Sequence, residues 1–148
     1  MCTDKTFVIK GENMSLRYKI IESKKFVYVT GVGEITNADL FNHLDELSKD
    51  ARYITPMKKL VDYRQATPMG PPQKDIYSFA NEMTRLKDVF VGEKCAIVVN
   101  DDLSFGTSRV YMAVSEAQEM IQTNVFRDIN AALHWLDIQF DDTEISDA

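Results

Sequence analysis

Cys95-Ala96-Ile97-Val98-Val99 is an unbroken apolar run between Lys94 and Asn100. It is too short for an ordinary helix and apolar at every position, the pattern of a strand covered on both faces, so it is assigned to the middle of a sheet. Downstream, Asn100-Asp101-Asp102 turns the chain and Ser104 offers an N-cap. Val110, Ala113, Val114, Ala117 and Ile121 then follow at helical spacing as the inward face of a third helix. Asn124-Val125-Phe126 reads as a brief last strand, and Asp128 caps a fourth helix that turns Ile129, Ala132, Leu133 and Leu136 inward. Upstream, Ile76, Phe79, Ala80, Met83 and Leu86 mark a second helix, entered through Pro72 after the break Thr67-Pro68-Met69-Gly70-Pro71-Pro72. Before that break, Leu60 and Val61, flanked by Met57 and Tyr63, form a short strand.

The N-terminal part reads as a hairpin. Leu16, Tyr18 and Ile20 alternate with Arg17 and Lys19, as on a half-exposed strand, whereas residues 26–32 are apolar on both sides. Thr36, with Asp39 three residues on, opens a first helix bearing Leu40, Phe41, Leu44 and Leu47. Residues 6–10 are either a further edge strand or a loose extension, and Met14 is an alternative start. The expected fold is therefore a single α/β domain with a mixed, mostly parallel sheet, an N-terminal β-hairpin and four helices, in the order β-β-α-β-α-β-α-β-α. Residues 1–14 form an N-terminal extension, 15–137 the domain, and 138–148 an acidic tail with Asp141, Asp142, Glu144 and Asp147.

Composition narrows the function. The chain has 148 residues, 45% apolar and 27% charged, as an ordinary one-domain globular protein does. A net charge of -6, with basic residues only in pairs such as Lys24-Lys25 and Lys58-Lys59, disfavours nucleic acid and acidic membrane surfaces. No stretch approaches the roughly 20 apolar residues of a membrane span, and the N-terminus lacks a signal-peptide apolar region. Two cysteines build no disulfide framework, which fits a cytoplasmic setting.

Several segments carry a family resemblance: Leu60-Val61-Asp62-Tyr63-Arg64, Ala96-Ile97-Val98-Val99, Phe105-Gly106, Arg109-Val110-Tyr111-Met112, Val125-Phe126-Arg127-Asp128 and Ala131-Ala132-Leu133-His134-Trp135-Leu136. Together they resemble the small bacterial SpoIIAA-like, or STAS/SEC14-like, family over residues 15–137. The resemblance implies the anti-anti-sigma fold. In that family's anti-anti-sigma members a phosphorylatable hydroxyl sits in an Asp-Ser-Ser/Thr-Gly-like turn between the third strand and second helix. Here that turn runs from Gln65 to Pro72, offers only Thr67, and has no adjacent Asp.

Few residues suggest a site. Ser104, Gly106 and Arg109 open a helix directly after the apolar strand, where free backbone N–H groups, a hydroxyl and a guanidinium suit an anion. Asp62 and Arg64 leave the preceding strand at the same edge, so the five residues could line one polar crevice at the strands' carboxyl ends. The alternatives are a structural ion-pair cluster, with Ser104 as a cap and Arg109 paired to Asp101 or Asp102. Gly31-Val32-Gly33 is a poor dinucleotide fingerprint, because Thr36 replaces the third glycine. His43 and His134 lie on separate helices without a second ligand at metal spacing, and read as solvated or partly packed. Cys95 is expected to be buried and inert. No metal, cofactor or catalytic set is assigned. The expectation is a non-catalytic cytoplasmic protein-interaction or regulatory module that acts through its second helix and proline loop, on a protein partner or on itself as a homodimer. The alternative is a carrier or sensor of a small apolar or amphipathic, lipid-like ligand held in that crevice.

Overall fold

A computed structural model describes residues 5–6, 15–68, 81, 84–85, 87–90, 92–117 and 121–139. The sheet grows sideways in chain order. Strands β1 (Lys5–Thr6), β2 (Leu16–Ile21), β3 (Phe26–Gly33), β4 (Lys58–Ala66), β5 (Glu93–Val98) and β6 (Ile121–Phe126) lie next to one another in that sequence. β2 pairs antiparallel with both β1 and β3, and β3 to β6 run parallel. The described helices are α1 (Asn37–Ser48), α2 (Lys87–Phe90), α3 (Asp102–Ala117) and α4 (Ile129–Leu136). This is the mixed, mostly parallel α/β sheet that the periodicities predict. The second helix expected over residues 76–86 lies largely outside the described residues. Among the described residues no helix is long and apolar enough to cross a membrane.

Three expectations change. The 95–99 run is dry and interior, but β6 lies beyond β5, so the middle of the sheet belongs to β3 and β4. β4 is nine residues long, because Lys59, Asp62 and Arg64 continue the strand where their charge suggested its ends. Ile121 opens β6, which spans six residues, and does not close the helix before it. The first helix starts as read: Thr36 and Asp39 exchange both bonds of a capping box, at 3.1 and 2.9 Å. Asp128 caps α4 by accepting from Ala131 N at 3.1 Å.

The two sheet faces are covered unequally. One carries Val27, Val29, Val61, Cys95 and Val125 against Leu44 and Leu47 of α1, with Phe105, Tyr111 and Met112 of α3 packed alongside. The other carries Phe26, Tyr28, Leu60, Ala96 and Val98 against Ile129, Ala132, Leu133 and Leu136, all from α4. Burying each of those larger side chains stabilises the fold by about 2 kcal/mol. Ile138 packs beside α4 and the Gln139 carbonyl accepts from Lys24 Nζ, so the ordered chain extends into what the sequence assigned to the tail.

A bulge interrupts β4 near its end. Thr30 pairs with Asp62 but Val32 pairs with Gln65, which sets Tyr63 and Arg64 opposite the single residue Gly31. The Tyr63 ring closes over Gly31, and a Cβ there would meet Tyr63 Cδ1 at 2.6 Å and Cε1 at 2.8 Å. Gly31→Ala is therefore expected to cost about 1–3 kcal/mol in urea denaturation. It should cost clearly less in a Tyr63→Leu background; equal costs in both would show that the ring contact is not the cause.

Candidate functional site

The bulge places Asp62 and Arg64 in a tight unit. Asp62 Oδ1 accepts from the Arg64 backbone N–H at 3.0 Å and from Nε at 2.8 Å, while Oδ2 accepts from Nη2 at 2.7 Å and from the Tyr28 hydroxyl at 2.6 Å. Four donors thus occupy a buried carboxylate. Burial alone would pull the Asp62 carboxyl up, but the Arg64 and Tyr28 hydrogen bonds outweigh it and hold the group below its usual range. Burial and the bond to Asp62 push the Tyr28 hydroxyl up, and the bond to Asp62 does the same for Arg64. The half-exposed guanidinium keeps an outer edge free of Asp62, and Asn100 Nδ2 reaches the Arg64 carbonyl at 3.3 Å.

Ser104, Gly106 and Arg109 lie elsewhere. Asp101 is the cap of α3, accepting from Ser104 N at 2.7 Å, so Ser104 is inside the helix and buried. Arg109 is exposed and stands 6.0 Å from the Phe105 ring centroid, which also carries Arg127 at 4.8 Å. Asp102, offered by the sequence as a partner for Arg109, is paired with Arg127. α3 packs on the α1 face, where Tyr111 donates to Asn37 at 2.7 Å, while Asp62 bonds Tyr28 on the α4 face. The five residues therefore divide between opposite faces of the sheet. The strand order also never reverses, so the topological switch that opens a ligand crevice in other parallel sheets is absent from this order. Thr67 is exposed just past β4, its N–H fixed to the Gly33 carbonyl at 2.8 Å. The rest of the proline turn, like most of the second-helix surface, lies outside the described residues.

Three features escaped the sequence reading. Asp50-Ala51-Arg52 repeats the Asp-x-Arg unit, with Tyr18 in the role of Tyr28: Asp50 accepts from the Tyr18 hydroxyl at 2.8 Å and from Arg52 Nη2 at 2.9 Å. The two Asp-x-Arg pairs, each with a strand tyrosine, are the signal that could have found them. Second, α3 seats hydroxyls on the core beside Phe105, Tyr111 and Met112 and leaves two aliphatic side chains outward. Ser104, Thr107 and Ser108 are buried, while Leu103 is 48% and Val110 40% exposed, with Gly106 and Ala113 beside them on the outer side. Val110 and Ala113 were read as inward because apolar spacing was weighed and hydroxyl spacing was not. Third, Lys59 and His43 are buried on the α1 face with Cys95, whose thiol burial pushes up to about 11. His43 is thus neither solvated nor half-packed. His134 is exposed.

No protein-family model matches the chain, and no curated protein matches it. Among the described residues no group of three or more His, Cys, Asp or Glu side chains could hold a metal ion.

Asp62 ties the site to acidity. Its folded pKa lies below the unfolded value near 4, so its stabilisation is complete above about pH 4 and is lost as pH falls through the folded value. Asp62→Asn should cost about 2 kcal/mol at pH 7 by weakening the bonds from Arg64 and Tyr28. It should also flatten the fall in stability below about pH 4; an unchanged acid limb in urea titrations would contradict this. Asp50, held at about 2 chiefly by the hydrogen bond from Arg52, supplies the acid sensitivity that remains.

Proposed function

We propose that the chain is a non-catalytic regulatory module of SpoIIAA-like type that works in the cytoplasm by protein contact, self-associating as a homodimer. The supporting observation is the outer side of α3. A helix that seats Phe105, Tyr111, Met112 and three hydroxyls on the core yet leaves Leu103 and Val110 outward departs from the ordinary pattern, and an exposed apolar side is what a contact surface requires. Gly106 strengthens the reading. A glycine inside a helix costs about 0.5–1 kcal/mol relative to alanine. Among the described residues a Cβ at Gly106 would meet nothing within 4 Å, so no contact there calls for its absence. With Ala113 seven residues on, it leaves a shallow track in which a second helix can approach closely, between Leu103 and Val110 and the charged edge of Asp102, Arg109 and Glu116.

The resemblance of the quoted segments to SpoIIAA-like proteins supports the same reading, and Thr67, exposed beside the end of β4, is the hydroxyl at which a phosphate would regulate it. The strand-end crevice finds less support, since its proposed residues stand on two faces. Ser104, Gly106 and Arg109 instead enter the reading as parts of the contact helix.

Light scattering across a concentration series tests the proposal. The wild-type chain is expected to pass from monomer to dimer, and Val110→Asp to stay monomeric with its stability changed by no more than about 0.5 kcal/mol, as for an exposed position. A wild-type chain that remains monomeric to high concentration, or a Val110→Asp chain that dimerises as tightly, would overturn it.

A further inference from the structure

β6 is the last strand of the sheet, and among the described residues nothing pairs with its outer side. Phe126 turns its carbonyl to β5, where it accepts from Val99 N at 3.0 Å. Residues facing a neighbour alternate along a parallel strand, so Asn124 and Gln122 also face β5, while Ile121, Thr123 and Val125 hold their N–H and C=O groups outward. Such an open row templates a further strand, and natural edges blunt it with lysine, proline, a bulge or a very short strand. The opposite edge is blunted in this way, because β1 has 2 residues and one of them is Lys5.

β6 is not. Ile121-Gln122-Thr123-Asn124-Val125-Phe126 carries no charge, no proline and no glycine, and it pairs with β5 along its whole length without a register shift. Ile121, Thr123, Val125 and Phe126 are all strand formers, and an uncharged segment of this kind is prone to pair with its like. Its guard is a side chain: Asn124 Oδ1 accepts from Val125 N at 2.9 Å and so closes one outward N–H of the row.

We infer that β6 pairs with β6 of a second copy, antiparallel about a two-fold axis through Thr123, so that one sheet runs across the dimer. The inference rests on the homodimer proposed above and supplies a strand contact beside its helices, since α3 packs on β6. Thr123 exchanges both backbone bonds with the partner's Thr123, and Ile121 does so with the partner's Val125, about six bonds in all by symmetry. An axis at Gln122 or Asn124 leaves one outward residue without a place in the partner's strand; the axis at Thr123 uses all three. Side chains match in the same register. Ile121 meets the partner's Val125 on the α1 side, Gln122 meets the partner's Asn124 on the α4 side, and no like charges face one another, as a self-complementary contact requires. On pairing, Val125 N–H passes from Asn124 to the partner's Ile121 carbonyl. The Asn124 amide thus guards the free edge and, once released, becomes a contact of the paired one.

Two double variants read the register by light scattering at low salt. Gln122→Lys with Asn124→Lys sets lysine against lysine in both cross-strand pairs and is expected to weaken association about tenfold. Gln122→Lys with Asn124→Glu loses the same guard but sets lysine against glutamate, and should associate at least as tightly as the wild type. Gln122→Cys and Asn124→Cys chains, each carrying Cys2→Ser, are also mixed and oxidised, since opposite residues of this kind stand about 4.5 Å apart at Cα, within disulfide reach. A crosslinked dimer is expected to form far more readily in the mixture than in either chain alone. A wild type that dimerises without that crosslink, or equal affinities for the two charge variants, overturns the strand pairing and leaves the α3 contact standing. The crosslink and the charge response, found together with undiminished dimerisation of Val110→Asp, uphold the strand pairing and sink the helix contact. A wild type that stays monomeric overturns both.

Discussion

β4 carries charged groups, among them Lys59, Asp62 and Arg64, through the middle of a sheet that is covered on both sides. Charge in such surroundings is costly unless each group is matched, and the local structure is organised around that requirement. Asp62 and Arg64 neutralise one another through the bulge, which turns Arg64 back onto the carboxylate two residues earlier. The close approach of Gly31 to Tyr63 follows from the same bulge, because one residue of β3 must face two of β4. Lys59, on the opposite face, makes no ion pair among the described residues and rests on an aromatic ring, with the Glu93 charge favouring its ammonium against burial.

The Tyr–Asp-x-Arg unit appears once on each side of the sheet. Tyr28 reaches Asp62 within the layer beneath α4, and Tyr18 reaches Asp50 just past the end of α1. In both, the arginine folds back over two residues and its backbone N–H bonds the same carboxylate, so a short sequence satisfies its own charge before any distant contact forms. The tyrosine then ties this preformed loop to a strand 32 or 34 residues away. Ion pairs at partly exposed positions stabilise little by themselves. Their value here is positional: they fix how the segment after α1 and the end of β4 meet the hairpin.

Legibility in the sequence followed what each residue type normally signals. Residues 95–99 announced a dry strand because every side chain is apolar, and the four inward positions of α4 were evident from spacing alone. The rank of β5 within the sheet was not evident, since lateral order depends on pairing and no single strand encodes it. β4 was cut short because lysine, aspartate and arginine usually mark an exit to solvent. The inward side of α3 was misjudged because Ser104 was read as a cap and the apolar spacing of Val110 and Ala113 was weighed instead, although small hydroxyl residues also let a helix settle closely on a sheet. The proposed crevice failed to assemble for a related reason: shared position at a strand end does not imply a shared face.

Chain order and lateral order coincide in this sheet, and among the described residues α4 is what packs on its second face. During synthesis each parallel strand can therefore dock beside its immediate predecessor without waiting for a later segment to fill a gap. The α4 cover of the surface formed by Phe26, Tyr28, Leu60, Ala96 and Val98 nevertheless cannot arrive until residues 129–136 have left the ribosome. Nascent chains of this protein accordingly pass through a stage with a nearly complete sheet and one greasy side, which is the interval in which a chaperone has something to hold.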